Sequence, residues 1–326
     1  METRGLIWWK AGLAALGTAA FVVVPAGAAM ASAKAGPGDM DPSTRVDMKD
    51  AMENEALAHA TYRAYAAQAD RERLPQVRDL FERTADSELH GLAARDAEQL
   101  GLIGDNAANL RDSTGGETYE ARTMYKRFAA EAEKENEPKA AALFSEIGND
   151  EASHRVRFSR AEEAVANPSA GMTVPTDVMA KPATIRAGAP EVSSAGTLRN
   201  LRTAMRGEAV AHAKYALYAE RARETGQPSL AQLFDRTARV ERDEHFAEQA
   251  SLAGLVRDTR TNLRHAITEE RRAGDEMYPG YARKATEMGD TTASGLFMDS
   301  ARGKLAQARA FSEALSALET RAGEAT

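Results

Sequence analysis

A carboxylate and an imidazole lie one helical turn apart near the middle of the chain. In the stretch NDEASHRVRF, Glu151 is followed three residues later by His154. Residues three apart on an α-helix share a face, so a helix here presents both groups together. Carboxylate plus imidazole is a ligand set that suits iron or manganese. Such a pair is also common on solvent-exposed helix surfaces, so its meaning depends on its surroundings.

Further carboxylates occur in three neighbouring stretches with the same helical spacing. NEALAHATYRAYA contains Glu55, LFERTADSE ends in Glu88, and GETYE places Glu117 and Glu120 three residues apart. Apolar and aromatic residues recur around them at helical spacing, which predicts that the acids point into one core. Buried carboxylates are costly without counter-charge, and two cations would neutralise them. The sequence therefore predicts a two-metal site with the ligands Glu55, Glu88, Glu117, Glu120, Glu151 and His154.

Four long amphipathic segments carry these residues, at roughly 44–69, 74–101, 106–135 and 137–164. Apolar residues recur at i, i+3, i+4 and i+7 within each segment, and proline or glycine separates the segments. No alternating strand pattern competes with this reading. Four amphipathic helices of this length are typical of a four-helix bundle, so residues 44–164 are predicted to form one.

The second half of the chain repeats the first at a constant offset without gaps. GEAVAHAKYALYA at residues 207–219 repeats NEALAHATYRAYA at residues 54–66, and Phe81 aligns with Phe234. A tandem duplication of one unit is therefore predicted. The fold class is all-α, with a second, degenerate bundle at 197–320 and a linker at 165–196 that is rich in proline and glycine.

The second copy keeps only part of the predicted ligand set. Glu208, Glu241 and Glu270 align with Glu55, Glu88 and Glu117. Ala273, Lys304 and Gln307 replace Glu120, Glu151 and His154. We expect this copy to have exchanged its metal for an internal ion pair of Lys304 with Glu208, Glu241 or Glu270. The neighbouring Glu244 and His245 leave open a single weak metal site.

With these motifs, the first copy resembles the di-iron domain of rubrerythrins, in the ferritin-like superfamily. The stretches that match are NEALAHATYRAYA, LFERTADSE, GETYEARTMYKRFA and LFSEIGNDEASHRVRF. The resemblance implies that the six predicted ligands bind two iron ions, with manganese as the alternative. It also implies that Tyr62 and Tyr125 lie near the site as donors of hydrogen bonds or electrons.

One position departs from the pattern of that family. Gly91 stands where the family usually has a histidine three residues after the glutamate of its second helix, and His90 comes one residue too early. The alternative ligand that this histidine provides on iron reduction is therefore in doubt. His59, repeated as His212, is either a substitute ligand or a packing residue.

Composition and the N-terminus bound the setting of this chemistry. The 326-residue chain has a net charge of −7 and no cysteine, which argues against general nucleic-acid binding and excludes thiolate metal sites. Residues 1–33 have Arg4 and Lys10 before an apolar run and A-x-A sites after it. This pattern predicts a signal peptide or a membrane anchor, and an extracytoplasmic location, either periplasmic, secreted or tethered.

The function that the resemblance implies is reduction of hydrogen peroxide or oxygen by an exported di-iron oxidoreductase. Because rubrerythrins often carry a cysteine-ligated rubredoxin module and this sequence has no cysteine, an external electron donor is implied. The two copies are expected to act as a pseudo-dimer within one chain or to assemble as a homo-oligomer. Iron oxidation with sequestration, and a metal-stabilised scaffold without turnover, are the alternatives.

Overall fold

A computed structural model of the protein describes residues 40–324, so the predicted signal or anchor segment at residues 1–33 lies outside the described residues. Every regular element between residues 40 and 324 is a helix, and none is a β-strand. The all-α prediction is therefore confirmed. Within this described part, no helix has the combination of length and apolar character needed to span a membrane.

The helices form four hairpins, each made of two long helices joined by a short turn. Hairpin 1 comprises α1 (Pro42–Arg71), α2 (Pro75–Asp86) and α3 (Ala94–Leu100), and hairpin 2 comprises α4 (Asn106–Tyr119), α5 (Tyr125–Lys134) and α6 (Pro138–Ala166). Hairpin 3 comprises α7 (Ala195–Glu224), α8 (Pro228–Val240) and α9 (Ala247–Ala253), and hairpin 4 comprises α10 (Thr259–Arg272), α11 (Tyr278–Glu287) and α12 (Thr291–Glu324). Hairpins 1 and 2 belong to the first repeat, and hairpins 3 and 4 to the second.

One long helix of each hairpin contains a π-helical segment. These segments are Ser87–Ala93, Glu120–Met124, Glu241–Phe246 and Ala273–Met277, at matching positions of the two repeats. Single π-helical turns inside α-helices are rare and occur frequently at functional sites. The two segments of the first repeat contain the predicted ligands Glu88 and Glu120, and those of the second repeat contain the aligned positions Glu241 and Ala273.

The turn residues explain where several helices begin and end. Pro75, Pro138 and Pro228 each lie at the start of a helix, where the missing amide hydrogen is not needed. Gly101 and Gly254 follow α3 and α9 with positive φ values of 66° and 62°, the left-handed conformation that glycine adopts most easily at a helix C-terminus.

The hairpins pair across the two repeats rather than within them. Hairpins 2 and 3 share one core, in which Phe128 and Phe144 pack with Leu201 and Phe246. Hairpins 1 and 4 share another, which includes Phe81 and Phe311, 5.0 Å apart by ring centroid. We call the first pair the histidine bundle, because it contains His154 and His245, and the second pair the lysine bundle, because it contains Lys304. The structure thus differs from the prediction of one bundle per repeat, at 44–164 and 197–320.

The predicted linker is a docked segment that joins the two halves of the histidine bundle. After a short 3₁₀ turn at Pro168–Ala170, residues 171–194 run along hairpin 3 without helix. The amide of Gly188 donates to the carbonyl of Val256 at 3.0 Å, and that of Glu191 donates to Leu252 at 2.9 Å. Val178 is buried among the side chains of the histidine bundle. These contacts hold the segment against the helices.

The two bundles meet where α1 approaches α7, and two histidines stack there. The rings of His59 and His212 are 5.2 Å apart and 10° from parallel. Each Nδ1 bonds a backbone carbonyl, of Ala85 at 2.8 Å and of Ala238 at 2.7 Å. Burial lowers the pKa of His59 to about 4. The structure therefore places His59 as a neutral packing residue between the bundles.

Candidate metal centre

The histidine bundle brings acidic and imidazole side chains from both repeats into one buried cluster. Two overlapping groups can each hold a metal ion, with all ligand atoms of a group within 4.8 Å of one another. The first group is Glu117, Glu151, His154 and Glu241, and the second is Glu151, Glu208, Glu241 and His245. Glu151 and Glu241 belong to both groups, as bridging ligands of a two-metal centre would.

The distances in the first group converge on the imidazole of His154. Its Nδ1 is 2.9 Å from Oε2 of Glu151, 3.2 Å from Oε1 of Glu241 and 3.8 Å from Oε2 of Glu117. Glu117 comes from α4, near the π-helical segment, and Glu151 and His154 share one face of α6. Hairpin 2 thus supplies three members of this group and hairpin 3 the fourth.

The second group is arranged in the same way around His245. Its Nδ1 lies 3.0 Å from Oε1 of Glu151, 3.0 Å from Oε2 of Glu241 and 3.6 Å from Oε2 of Glu208. Glu151 and Glu241 therefore each direct one oxygen towards His154 and the other towards His245. This division of the two oxygens is the arrangement expected of carboxylates that span two neighbouring cations.

Tyrosines orient the two carboxylates that are not shared. Tyr215 donates a hydrogen bond to Oε1 of Glu117 at 2.5 Å, and Tyr125 donates to Oε1 of Glu208. Gln249 donates in turn to the hydroxyl of Tyr125 at 2.8 Å. In both carboxylates the remaining oxygen, Oε2, faces an imidazole. Such outer hydrogen bonds fix the orientation of ligands in metal sites.

The unpartnered atoms of the cluster fit a pair of metal ions. Oε2 of Glu117, Oε1 of Glu151 and Oε1 of Glu241 are buried and make no hydrogen bond of good geometry. A buried carboxyl oxygen without a hydrogen-bond partner is unfavourable, and coordination to a cation would satisfy it. A glutamate from each of two helices, with a glutamate and histidine pair from each of the other two, is the ligand design of ferritin-like di-metal bundles.

Electrostatics show how the cluster is balanced without metal. Burial raises the pKa of Glu117 well above its usual range and that of Glu208 to about 8. Burial opposes protonation of His154, but the charges of Glu241 and Glu151 raise its pKa to about 9. The pKa of His245 is raised in the same direction, chiefly by Glu151. Despite their burial, the pKa values of the shared carboxylates, Glu151 and Glu241, are lowered by the two imidazoles, so protonated His154 and His245 offset the negative charge of these carboxylates.

Glu120 lies beside the cluster but belongs to neither group of ligands. It begins the π-helical segment of hairpin 2 and is half-buried. Its Oε1 is 3.3 Å from the position that a Cβ atom on Gly207 would occupy. Gly207 directly precedes Glu208, so the absence of a side chain there leaves room for the carboxylate of Glu120 at the edge of the site.

The lysine bundle has a different set of charges at the equivalent place. Lys304 donates a hydrogen bond to Glu88 and lies 3.4 Å from Oε2 of Glu270. Gln307 donates to the other oxygen of Glu88 at 2.8 Å, and Tyr278 donates to Glu55 at 2.6 Å. No group that could hold a metal ion occurs in this bundle among residues 40–324. The ammonium group therefore supplies the internal cation.

Comparison with known proteins agrees with these features. The rubrerythrin family model matches residues 48–90, 94–162 and 199–303, well over half of the chain. The chain belongs to the rubrerythrin family. Its membership confirms the resemblance seen in the motifs and accounts for the carboxylate and imidazole groups of the histidine bundle, because rubrerythrins carry di-iron centres.

Individual relatives in the rubrerythrin family match about a third of the chain each. The present chain is 36% identical over 124 residues to nigerythrin of Nitratidesulfovibrio vulgaris, and the match covers 34% of this chain and 60% of the relative. It is 32% identical over 120 residues to rubrerythrin of Porphyromonas gingivalis, covering 33% and 60%. It is also 32% identical over 127 residues to rubrerythrin of N. vulgaris, and this match covers 35% of this chain and 66% of the relative. The chain thus spans less than two thirds of the length of these relatives. No solved structure matches the chain significantly.

The structure divides the predicted rubrerythrin-like ligands between the two bundles. Glu117, Glu151 and His154 lie together in the first ligand group, with Glu120 beside it. Glu55 and Glu88 lie in the lysine bundle, with Lys304. Of the two predicted tyrosines, Tyr125 contacts the cluster, whereas Tyr62 donates a hydrogen bond to Glu270 in the lysine bundle.

Glu208, Glu241 and His245 complete the cluster, although the predicted ligand set contains none of them. The two repeats have complementary losses: the first has Leu92 where the second has His245, and the second lacks the glutamate and histidine pair of the fourth helix. Pairing of the intact halves would have been the signal. His245 follows Glu241 by four residues in a π-helical turn, so the usual spacing of three did not reveal it.

Proposed function

We propose that the chain is a di-iron oxidoreductase that reduces hydrogen peroxide or oxygen at the histidine bundle, using electrons from an external donor. The observation that carries this proposal is that Glu151 and Glu241 each present one oxygen to the side of His154 and one to the side of His245. Manganese suits the same donors and is the alternative metal.

The side chains have separate tasks in this proposal. Glu151 and Glu241 would hold two ions side by side, while Glu117 with His154 and Glu208 with His245 would complete the two ends. Bound iron supplies electron-transfer chemistry that protein side chains lack. Reduction of one peroxide molecule to two water molecules takes up two electrons and two protons, and the external donor restores the electrons.

The surroundings of the ligands support chemistry in a dry site. Glu117, Glu151, Glu208 and Glu241 are all at most 1% exposed, so the bundle keeps bulk water from the reacting atoms. Tyr125 and Tyr215 hold hydroxyl protons at the two ends of the cluster. Their hydrogen bonds keep the terminal carboxylates turned towards the imidazoles.

Metal content of the full chain is the first test. We expect about two irons per chain, and loss of both in Glu151→Ala, because Glu151 belongs to both groups. Rapid oxidation of the reduced centre by peroxide, followed by absorbance and reversed by a reductant, would support the enzyme. Chains that bind no iron while folded would refute it, and uptake of many irons per chain would favour iron oxidation with sequestration.

We also propose that the protein works outside the cytoplasm. The support is the sequence pattern of residues 1–33, in which Arg4 and Lys10 precede an apolar run that ends in small residues. Fractionation of cells, with mass measurement of the purified chain, tests this proposal. Cleavage near residues 31–33 would identify a signal peptide, an uncleaved chain in the membrane fraction would identify an anchor, and a full-length cytoplasmic chain would contradict export.

A further inference from the structure

The segment between the two halves of the histidine bundle crosses the π-helical turn that carries Glu241 and His245. The amide of Ala183 donates to the carbonyl of Asp243 at 2.7 Å. The amide of Lys181 donates to Oε2 of Glu244 at 2.7 Å. Glu244 is only 7% exposed, and its second oxygen lies 4.0 Å from the ammonium group of Lys181.

These contacts satisfy groups that the π-helical turn changes. In an α-helix the amide of Ala247 would bond the carbonyl of Asp243, four residues earlier. Here it bonds the carbonyl of Glu244 instead. The carbonyl of Asp243 accepts a hydrogen bond from the amide of Ala183 in the connecting segment, and backbone carbonyls that lack a helical donor are normally satisfied in this way. The connecting segment therefore stabilises this particular turn.

Glu244 and His245 are neighbours in sequence but face opposite ways. Glu244 points outward to Lys181, whereas the Nδ1 of His245 lies 3.0 Å from both Glu151 and Glu241. The turn is wide, and a shift of the helix by one residue would bring Glu244 towards the cluster and move His245 away. The hydrogen bond to Glu244 opposes that shift.

The lysine bundle provides an internal comparison. Gly91 and Leu92 occupy the positions that correspond to Glu244 and His245. Gly91 has no side chain to bond a covering segment, and Leu92 is no ligand. The outward acid and the inward imidazole thus occur together in the bundle with the metal-ligand cluster, and neither occurs in the other.

We propose that residues 181–183 form a positioning strap, which holds Glu244 outward and thereby keeps His245 in the metal cluster. Glu244 is a positioning residue in this inference rather than a ligand. The inference rests on the proposed function, because it assigns the strap to the site that would hold the two metal ions.

Four variants of the full chain test the strap: Glu244→Ala, Glu244→Gln, His245→Ala and the double variant Glu244→Ala/His245→Ala. Binding of Fe²⁺ is titrated without oxygen, and circular dichroism melts verify the fold. We expect Glu244→Ala to lower the affinity for one of the two Fe²⁺ ions by about 10–100-fold, the usual effect of losing a contact that supports a metal ligand. Glu244→Gln should bind nearly as the parent does, because its amide oxygen still accepts from Lys181.

The double variant separates positioning from direct ligation. If Glu244 acts only through His245, the double variant binds no more weakly than His245→Ala alone. Two results together would identify Glu244 as a ligand and overturn the inference. Glu244→Gln would bind Fe²⁺ as weakly as Glu244→Ala, and the double variant would bind it more weakly than His245→Ala. Unchanged binding in Glu244→Ala would also overturn it.

Hydrogen exchange gives a readout that needs no metal. Peptides that cover residues 241–247 should exchange faster in Glu244→Ala than in the parent chain or in Glu244→Gln. Equal protection in all three would refute the strap, whatever the metal content. A parent chain that binds no iron but shows the expected exchange would refute the proposed function and leave the strap supported.

Discussion

Replacement of Lys304 by methionine tests whether an ammonium group has taken the place of metal in the lysine bundle. Lys304 is 3% exposed and Glu88 is fully buried. Loss of one partner from a buried ion pair costs about 3–5 kcal/mol, because the other charge remains buried without compensation. We therefore expect the free energy of unfolding of Lys304→Met to fall by about 3–5 kcal/mol relative to the parent chain.

The effect should also depend on pH. Burial raises the pKa of Glu270 to about 7, and the charge of Lys304 limits that rise. Without Lys304 the pKa of Glu270 should rise further. The folded protein then keeps this carboxyl group protonated at pH values where the unfolded chain has released the proton. A carboxyl group with a raised folded-state pKa loses its contribution to stability as the pH rises. The loss in Lys304→Met should thus be larger at pH 8 than at pH 6.

Urea titrations of the metal-free chain, followed by circular dichroism, measure this loss. Lys139→Met is the matched control, because Lys139 pairs with Glu191 at 2.9 Å but is 72% exposed, and exposed ion pairs contribute about 0–1 kcal/mol. Iron binding by the histidine bundle should persist in Lys304→Met. A loss no larger than that in the control would refute the view that Lys304 neutralises this core.

Three other predictions concern the imidazoles and tyrosines. The affinity for Fe²⁺ should increase as the pH rises from about 6 to 9, because metal binding must displace protons from His154 and Glu208, whose pKa values are about 9 and about 8. Calorimetry in buffers of different ionisation enthalpy counts the protons that are released. The free energy of unfolding should fall by up to about 3 kcal/mol as the pH falls from about 6.5 to 4, because the pKa of His59 is lowered from 6.5 to about 4 and each pKa unit corresponds to about 1.4 kcal/mol. Thermal melts of the parent and of His59→Phe over this pH range test this, and an equal dependence of stability on pH in the two chains would contradict it. Tyr125→Phe should retain both irons but bind the weaker one about 10–100-fold less tightly, because Glu208 loses its orienting hydrogen bond. An Fe²⁺ titration unchanged from that of the parent would show that Tyr125 does not orient this carboxylate.

Much of the fold could be predicted from the sequence because helical periodicity is a local signal. The spacing of apolar residues around Glu55, Glu117 and Glu151 indicates which face of each helix is buried. The constant offset between repeats also identifies equivalent positions, such as Glu151 and Lys304. These patterns predicted the four long helices per repeat, the residue types of the cluster and the internal cation of the lysine bundle.

The partner of each buried face could not be predicted in the same way. Both repeats present the same apolar positions, so hairpin 2 can pack equally well, by pattern alone, on hairpin 1 or on hairpin 3. The outcome depends on contacts that are distant in sequence, such as Tyr215 with Glu117 and Tyr278 with Glu55. Because the two pairings place different residues together, the sequence pattern groups Glu55 and Glu88 with Glu151, whereas the structure places Glu208 and Glu241 beside it.

The order of the hairpins along the chain has a consequence for folding during synthesis. Hairpins 2 and 3 are consecutive, so every member of the metal-ligand cluster, from Glu117 to His245, has been synthesised before hairpin 4 begins at Thr259. Hairpin 1 must wait for Lys304 and Gln307 near the other end of the chain. The bundle that would take its metal ions from the surroundings is thus complete first, and the bundle that closes last contains its cation, Lys304, in its own sequence.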